Sequence, residues 1–292
     1  MVGGVSKRTG DLIVAYFYAV IIVLCLFPML NILARSLSDP MAIVNRRVFI
    51  LPVNFTLDSY SYVFLDPAFS RSMLWTIILT VICTLVSLGI TILCAFPLIY
   101  DQLKGKSIIN TLIIFTMYFN AGIIPNYILM KDLYLLNNPL VLILPGCLSV
   151  FNMIILRSFF YTVPDSLRES AEIDGASPFT VLLRIYIPLS GPVLATLALF
   201  YAVGRWNGFS DALMYLTSAS QYHPIQLKLY NIINNLSSIE IATQEGIAGG
   251  IPAATDGIKA AAVIFATAPI LLVYPWLQRY FIKGVTLGSV KG

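Results

Sequence analysis

Polar and apolar positions in this chain segregate on a scale of about twenty residues. Six windows of 19 or more residues carry no charge: 12–34, 72–100, 107–130, 133–156, 185–204 and 260–278. A charged side chain costs about 2.5–3.5 kcal/mol at the centre of an inserted helix, so windows of this kind mark membrane spans. Each meets or approaches the ~20 residues that a helix needs to cross ~30 Å of hydrocarbon. The pattern predicts an all-α integral membrane protein with six transmembrane helices, read as a single transmembrane domain over residues 1–292. The best remaining stretch, 212–227, is interrupted by Gln221, His223, Gln226 and several hydroxyls.

Composition agrees with the pattern. Of 292 residues, 58% are apolar and 11% charged, against roughly 25% charged in a soluble domain. The first window follows Lys7 and Arg8 but is longer than a signal-peptide core and has no small-x-small cleavage site after it, so it is read as a span. Cys25, Cys83, Cys94 and Cys147 fall inside predicted spans at no metal-ligand spacing, and no metal site is expected. With the N-terminus inside, ten of the 18 basic residues fall on the inner face, so both termini are placed in the cytoplasm. The net charge of +4 is spread over both faces. It forms no patch suited to nucleic acid, and no nucleic-acid partner is expected.

Between the windows, four segments stand out. FTLDSYSYVF (55–64) in the first outer loop reads as an interfacial helix. Loop 205–259 is long, polar and external, carries Trp206, Asn207, His223 and the run GIAGGIP (246–252), and reads as a docking element because 212–229 keeps a helix-like or strand-like apolar pattern. Trp276, Arg279, Tyr280 and Lys283 at the end of the sixth window read as an interfacial anchor. The fourth segment is the polar hairpin 161–188. There Pro164-Asp165-Ser166 signals a helix start, with Asp165 or Ser166 as N-cap and Glu169 placed to close a capping box. Gly175 stops this helix where the backbone needs a left-handed residue, and Ser177-Pro178 starts a second. Ser170, Ala171 and Ala176 are small enough for another protein to approach closely.

Glu169-Ser170-Ala171, Gly175, Ile185 and Pro188 fit the pattern EAA-x3-G-x9-I-x-x-P. The hairpin resembles the loop by which permease subunits of type I ABC importers dock onto their ATPase. The similarity to the carbohydrate group of these permeases, which includes the smaller maltose-type subunit, extends through LPVNFTLDSY (51–60), FNAGIIPNYILMKDLYLLNNPLVLILPG (119–146), FNMIILRSFF (151–160), Trp206-Asn207 and LQRYFIKGVTLGSVKG (277–292). The central and C-terminal stretches look most like permeases for oligosaccharides from complex polysaccharides. Ser170 stands where the family usually has Ala, and Ile187 where Leu is common.

The resemblance implies the type I importer permease fold in a bacterial cell membrane. It also implies membrane lipid around the chain, a heterodimer with a second related permease, two cytoplasmic ATPase subunits and an extracytoplasmic solute-binding protein. Glu169, Ser170, Ala171, Asp174 and Gly175 would form the ATPase-coupling element, and Lys291 in the tail would reach the same interface. ATP and Mg would be used by the partner ATPase, with no cofactor on this chain. Consistently, no GxxxxGK[ST] phosphate loop occurs in the sequence.

Polar groups at bilayer depth mark pathways. Asn120 and Asn126 flank Gly122 and Pro125, which should interrupt the third span. With Tyr118, Tyr127, Ser149 and Asn152 they form the candidate substrate pathway, since amides, hydroxyls and aromatic faces suit sugars. The same residue types also serve as interhelical hydrogen-bond glue. Arg205 and Trp206 read as interface anchors, and His223 as exposed. No charge lies inside any window, which argues against a membrane-embedded enzyme, and no catalytic residue is assigned. A permease for an amino acid or polyamine, or a passive channel, remains an alternative to a sugar importer subunit.

Overall fold

The computed structural model describes residues 4–244 and 252–289, with side chains described for 10–235, 255–273 and 275. The described residues form helices and turns, with no strand among them. In order, they are α1 (Gly4–Ser36), α2 (Pro40–Val44), α3 (Asp58–Leu65), α4 (Pro67–Ala95), α5 (Lys106–Tyr118), α6 (Ile123–Asp132), α7 (Val150–Phe160) and α8 (Asp165–Ile173). There follow α9 (Pro178–Val181), a π-helical segment (Leu182–Tyr186), α10 (Ile187–Leu189), α11 (Gly191–Asn207), α12 (Ser210–Tyr215), α13 (Ile225–Gln244) and α14 (Pro252–Ser289).

Three helical stretches are long and apolar enough to cross a membrane: Gly10–Ser36, Pro67–Ile99 and Thr255–Val273. The count rises to five if each of two bent pairs is one span. One pair is α5 with α6, bent by 114°; the other is Pro178–Leu189 with α11, bent by 84°. The fourth predicted window, 133–156, is not a continuous helix. It runs through a 3₁₀ turn at Pro139–Leu142 before α7, whose 11 residues reach only about 16 Å. Absence of charge drew that window, whereas the backbone there obeys Asn138, Pro139, Pro145 and Gly146. Asn138 Oδ1 caps the 3₁₀ turn through the Leu140 N–H at 3.0 Å, and Tyr134 and Asn137 have positive φ, which no helix interior tolerates.

The chain divides into two compact units. The first comprises Met1–Ser70 and Lys228–Ala268. In it the Arg35 guanidinium of α1 donates to Asp256 of α14 at 3.1 Å. Phe265 packs its ring against Phe64 and Phe69 at 5.1 and 5.3 Å. The segment 55–64 is helical as expected, since it contains most of α3. Along α1 the apolar window has a mean hydropathy of 2.6 and none of it is buried. A helix apolar on all sides needs lipid or another protein around it.

The second unit comprises Arg71–Leu227 and Pro269–Gly292. One core gathers Phe96, Leu98, Leu156, Phe160, Leu182, Tyr186 and Leu197. Its aromatic centre is a trio in which the Tyr186 ring meets both Phe96 and Phe160 edge-on at 5.3 Å, a favoured arrangement of ring quadrupoles. A second core joins Leu79 of α4 to Leu142, Tyr215, Leu216 and Leu227. The stretch 212–229 carries most of α12 and the start of α13, joined by an irregular link with one 3₁₀ turn at Ser220–Tyr222. The run 246–251 lies outside the described residues.

Candidate coupling hairpin and pathway cavity

The polar hairpin is built from α8 and α9. Its start differs from expectation: Pro164 occupies the N-cap, no side chain caps the helix, and the capping box does not form. Asp165 instead pairs with Arg168 at 3.1 Å, and Arg168 approaches Glu172 at 4.0 Å. The Arg168 guanidinium lies over the Tyr100 ring, 5.0 Å from its centroid. This planar cation stacks on an aromatic face, which ties α8 to the segment that follows α4. Nearby, the Lys106 ammonium donates to Asp101 at 2.8 Å. That bond holds the Asp101 carboxyl below its ordinary range.

The stop signal behaves as read. Gly175 has φ +81°. Its N–H donates to Glu172 O at 3.1 Å, and the Ala176 N–H donates to Ala171 O at 2.9 Å. These are the paired bonds of a Schellman cap, which needs a left-handed residue at Gly175. Ser177 then caps α9, its Oγ accepting the Thr180 N–H at 3.3 Å. Ala171 and Ala176 do not face outward as expected. They pack against the Phe96–Phe160–Tyr186 core, so their small size lets α8 approach its own chain. The outward groups are Glu169, Ser170, Asp174 and Ile173. Ile173 is 85% exposed; helical spacing sets it off the stripe of Leu167 and Ala171, a signal that separates the two sides of α8 without saying which one the fold covers. Lys291 lies outside the described residues, as do the side chains of Trp276, Arg279, Tyr280 and Lys283.

The six pathway candidates separate. Tyr118 is 80% exposed at the end of α5. Asn120 Oδ1 accepts the Gly122 N–H at 2.9 Å inside the break before α6, so the expected interruption is present and Gly122 takes φ +94°. Asn126 is half-buried, and Tyr127 stacks on Tyr215 with centroids 6.1 Å apart. Only Ser149 and Asn152 line the cavity of about 600 Å³ in this unit.

Three helices and one turn wall that cavity. From α4 come Cys83 and Ser87, one turn apart on one face; from α7, Phe151 and Asn152; from α11, Phe200, Tyr201 and Arg205; and Leu142 comes from the 3₁₀ turn. Tyr201 Oη meets Thr91 Oγ1 at 2.6 Å and accepts the Ser149 N–H at 3.2 Å. Ser149 Oγ in turn accepts the Asn152 N–H at 3.3 Å and caps α7. Arg205 is a wall residue as well as an anchor, for its guanidinium binds Asp211 through two bonds and donates to Leu142 O at 3.2 Å and Gly208 O at 3.1 Å. Nothing in the sequence pattern singles out Tyr201 or Asp211. Tyr201 lies inside a charge-free window, and Asp211 acquires meaning only from the fold around Arg205. Trp206, the other residue read as an anchor, is buried. His223 is half-buried rather than exposed, with Nε2 2.8 Å from Leu216 O.

Residues 12–287 match the family described as binding-protein-dependent transport system inner membrane component. The chain belongs to that family, whose members are membrane subunits of ABC transporters. It is 42% identical to Protein LplC of Bacillus subtilis (strain 168), covering 98% of this chain and 96% of LplC. It is also 37% identical to the polygalacturonan/rhamnogalacturonan transport system permease protein YtcP of the same strain, covering 98% of this chain and all of YtcP. Among solved structures, it matches a chain of a bacterial ABC transporter involved in the import of the acidic polysaccharide alginate. That match has a TM-score of 0.86 at 30% identity and covers 95% of this chain and 98% of the other.

Proposed function

We propose that this chain forms half of the translocation pathway of an ATP-driven importer for a sugar or oligosaccharide. In this reading it pairs with a second, related permease, and both termini lie in the cytoplasm. Two cytoplasmic ATPase subunits supply the energy, using ATP and Mg. An extracytoplasmic binding protein delivers the cargo. Saccharide cargo is supported by the similarity to YtcP and to the alginate importer.

The observation that carries the coupling role is the hairpin's division into two faces. Ala171 and Ala176 anchor it to the chain's own core, while Glu169, Ser170, Ile173 and Asp174 face outward beside a rigid Schellman turn. A helix held at both ends by its own chain transmits a rigid-body displacement instead of absorbing it. Ile173 offers an apolar anchor and Glu169 a charge for the ATPase groove.

Glu169→Lys and Gly175→Pro variants test the role, scored for membrane insertion, ATPase association and uptake. Insertion is expected to persist while uptake is lost. Normal association and uptake in both variants would count against the hairpin as the coupling element. Saccharide flux through the chain alone, without ATP, would overturn the importer reading in favour of a channel.

A further inference from the structure

The walls of the 600 Å³ cavity divide into polar groups already committed within the chain and groups that are not. The volume falls within the roughly 300–1,000 Å³ range of small-ligand sites. Among the described lining residues, Arg205 alone carries a charge. A guanidinium has five N–H donors, and four of those of Arg205 are engaged by Asp211, Leu142 O and Gly208 O. The fifth, on Nε, is fully buried and without a partner, so it offers nothing to a molecule in the cavity. Asp211 balances the charge. Tyr201 is committed too, to Thr91 and to the Ser149 N–H.

The uncommitted groups are all neutral. Asn152 is only 5% exposed, yet its amide makes no hydrogen bond to the described residues. Its polar atoms are not among the fully enclosed ones, so the amide opens onto the cavity, where a ligand or water can meet it. Ser87, 3% exposed, likewise has no partner for its hydroxyl among the described residues. Ser149 keeps its O–H free for donation, because its Oγ serves only as an acceptor for Asn152 N–H. Phe151 adds an aromatic face at the same wall.

We propose that Ser87, Ser149 and Asn152 form a subsite for an uncharged, hydroxyl-bearing sugar ring, and that Arg205 fixes the wall without contacting the cargo. The proposal rests on the saccharide-importer reading and refines it. It holds even for a cargo that carries carboxylates elsewhere, because a carboxylate here would have to displace Asp211 from Arg205. An amide with two donors and one acceptor, beside two hydroxyls, matches vicinal sugar hydroxyls. The aromatic face suits the C–H side of the ring.

The test uses the permease pair with its ATPases in nanodiscs, without the binding protein, and two probes that share one skeleton: 1,4-linked galactobiose and digalacturonate. Galactobiose is expected to bind, and Asn152→Ala and Ser87→Ala are each expected to weaken it by about tenfold. Neither side chain has a partner within the described residues, so both variants should keep the melting temperature of the unmodified complex. Digalacturonate is expected to bind no more than about threefold tighter than galactobiose. The Arg205→Gln/Asp211→Asn double variant should leave that ratio unchanged even where stability falls. Digalacturonate binding at least tenfold tighter, with the preference lost in the double variant, would overturn the proposal, as would no galactobiose binding at all. ATP-driven uptake by the complete importer separates the two levels. If saccharides are taken up but Asn152→Ala and Ser87→Ala change neither binding nor KM, only the subsite fails; if no saccharide is taken up, the importer reading fails with it.

Discussion

Tyr201 on α11 accepts the backbone N–H of Ser149, the N-cap of α7, at 3.2 Å. The bond joins two helices that are 52 residues apart in sequence at that contact. Its partner on the other side is Thr91 Oγ1 of α4, at 2.6 Å, and Thr91 itself donates to Ser87 O. With the Thr91 proton on that carbonyl, the Tyr201 proton goes to Thr91, and every group in the chain is satisfied. One phenol thus holds three walls of the cavity in register.

Tyr201→Phe is therefore expected to lower stability by about 1–3 kcal/mol, because the Ser149 N–H and Thr91 Oγ1 lose their shared partner. The loss should appear as a lower melting temperature of the detergent-purified protein. An unchanged melting temperature would mean that the contact contributes nothing.

Arg205→Ala should destabilise more than Asp211→Asn. The first removes four hydrogen bonds and leaves the Asp211 carboxylate without its guanidinium, whereas the second keeps an acceptor in place. Hydrogen bonds to charged groups contribute about 1.5–3 kcal/mol each, but the Arg205 and Asp211 side chains remain 11% and 30% exposed, and solvent screening reduces the total. The order of the two variants in a thermal unfolding series is the decisive readout.

Gly175→Ala is expected to cost about 1–2 kcal/mol, since Gly175 sits at φ +81° and a Cβ is disfavoured in the left-handed region. No steric clash adds to this, because a Cβ at this position would meet nothing within 4 Å. Asn at the same position should recover part of the loss. Hydrogen exchange of the α8 amides would report the fraying.

Ala171→Leu tests the inward face of α8. Ala171 packs on the core that contains Phe96, Phe160 and Tyr186, so added methylenes should displace the helix at a cost of about 1–3 kcal/mol. Ser170→Leu, one residue away but exposed, should leave the melting temperature unchanged. Equal effects at the two positions would contradict the assignment of faces.

Gly257→Ala probes the first unit. A Cβ there would stand 2.6 Å from Ser59 Oγ and 3.3 Å from Ile43 Cδ1. Ser59 and Ile43 are both buried, so the expected loss is again about 1–3 kcal/mol. The double variant Ser59→Ala/Gly257→Ala should restore most of it, because the Ser59 Cβ stands at an ordinary 3.8 Å.

Much of this protein is determined locally. Charge-free windows locate apolar segments because the cost of burying charge in lipid is paid residue by residue, and the helix stop at Gly175 follows from the steric freedom of one residue. The spacing of Glu169, Gly175 and Pro188 carried the family because that pattern is contiguous in sequence. The fourth window shows the limit: hydropathy cannot see that Pro139 and Pro145 divert the backbone. Tertiary structure alone decided that Ala171 faces inward and Ile173 outward, and that Arg205 is neutralised by Asp211. It also brought Ser87, Ser149 and Asn152 from different segments to one cavity. Burial and hydrogen-bond partnership depend on groups that meet only when the helices pack, so no pattern along a single segment records them.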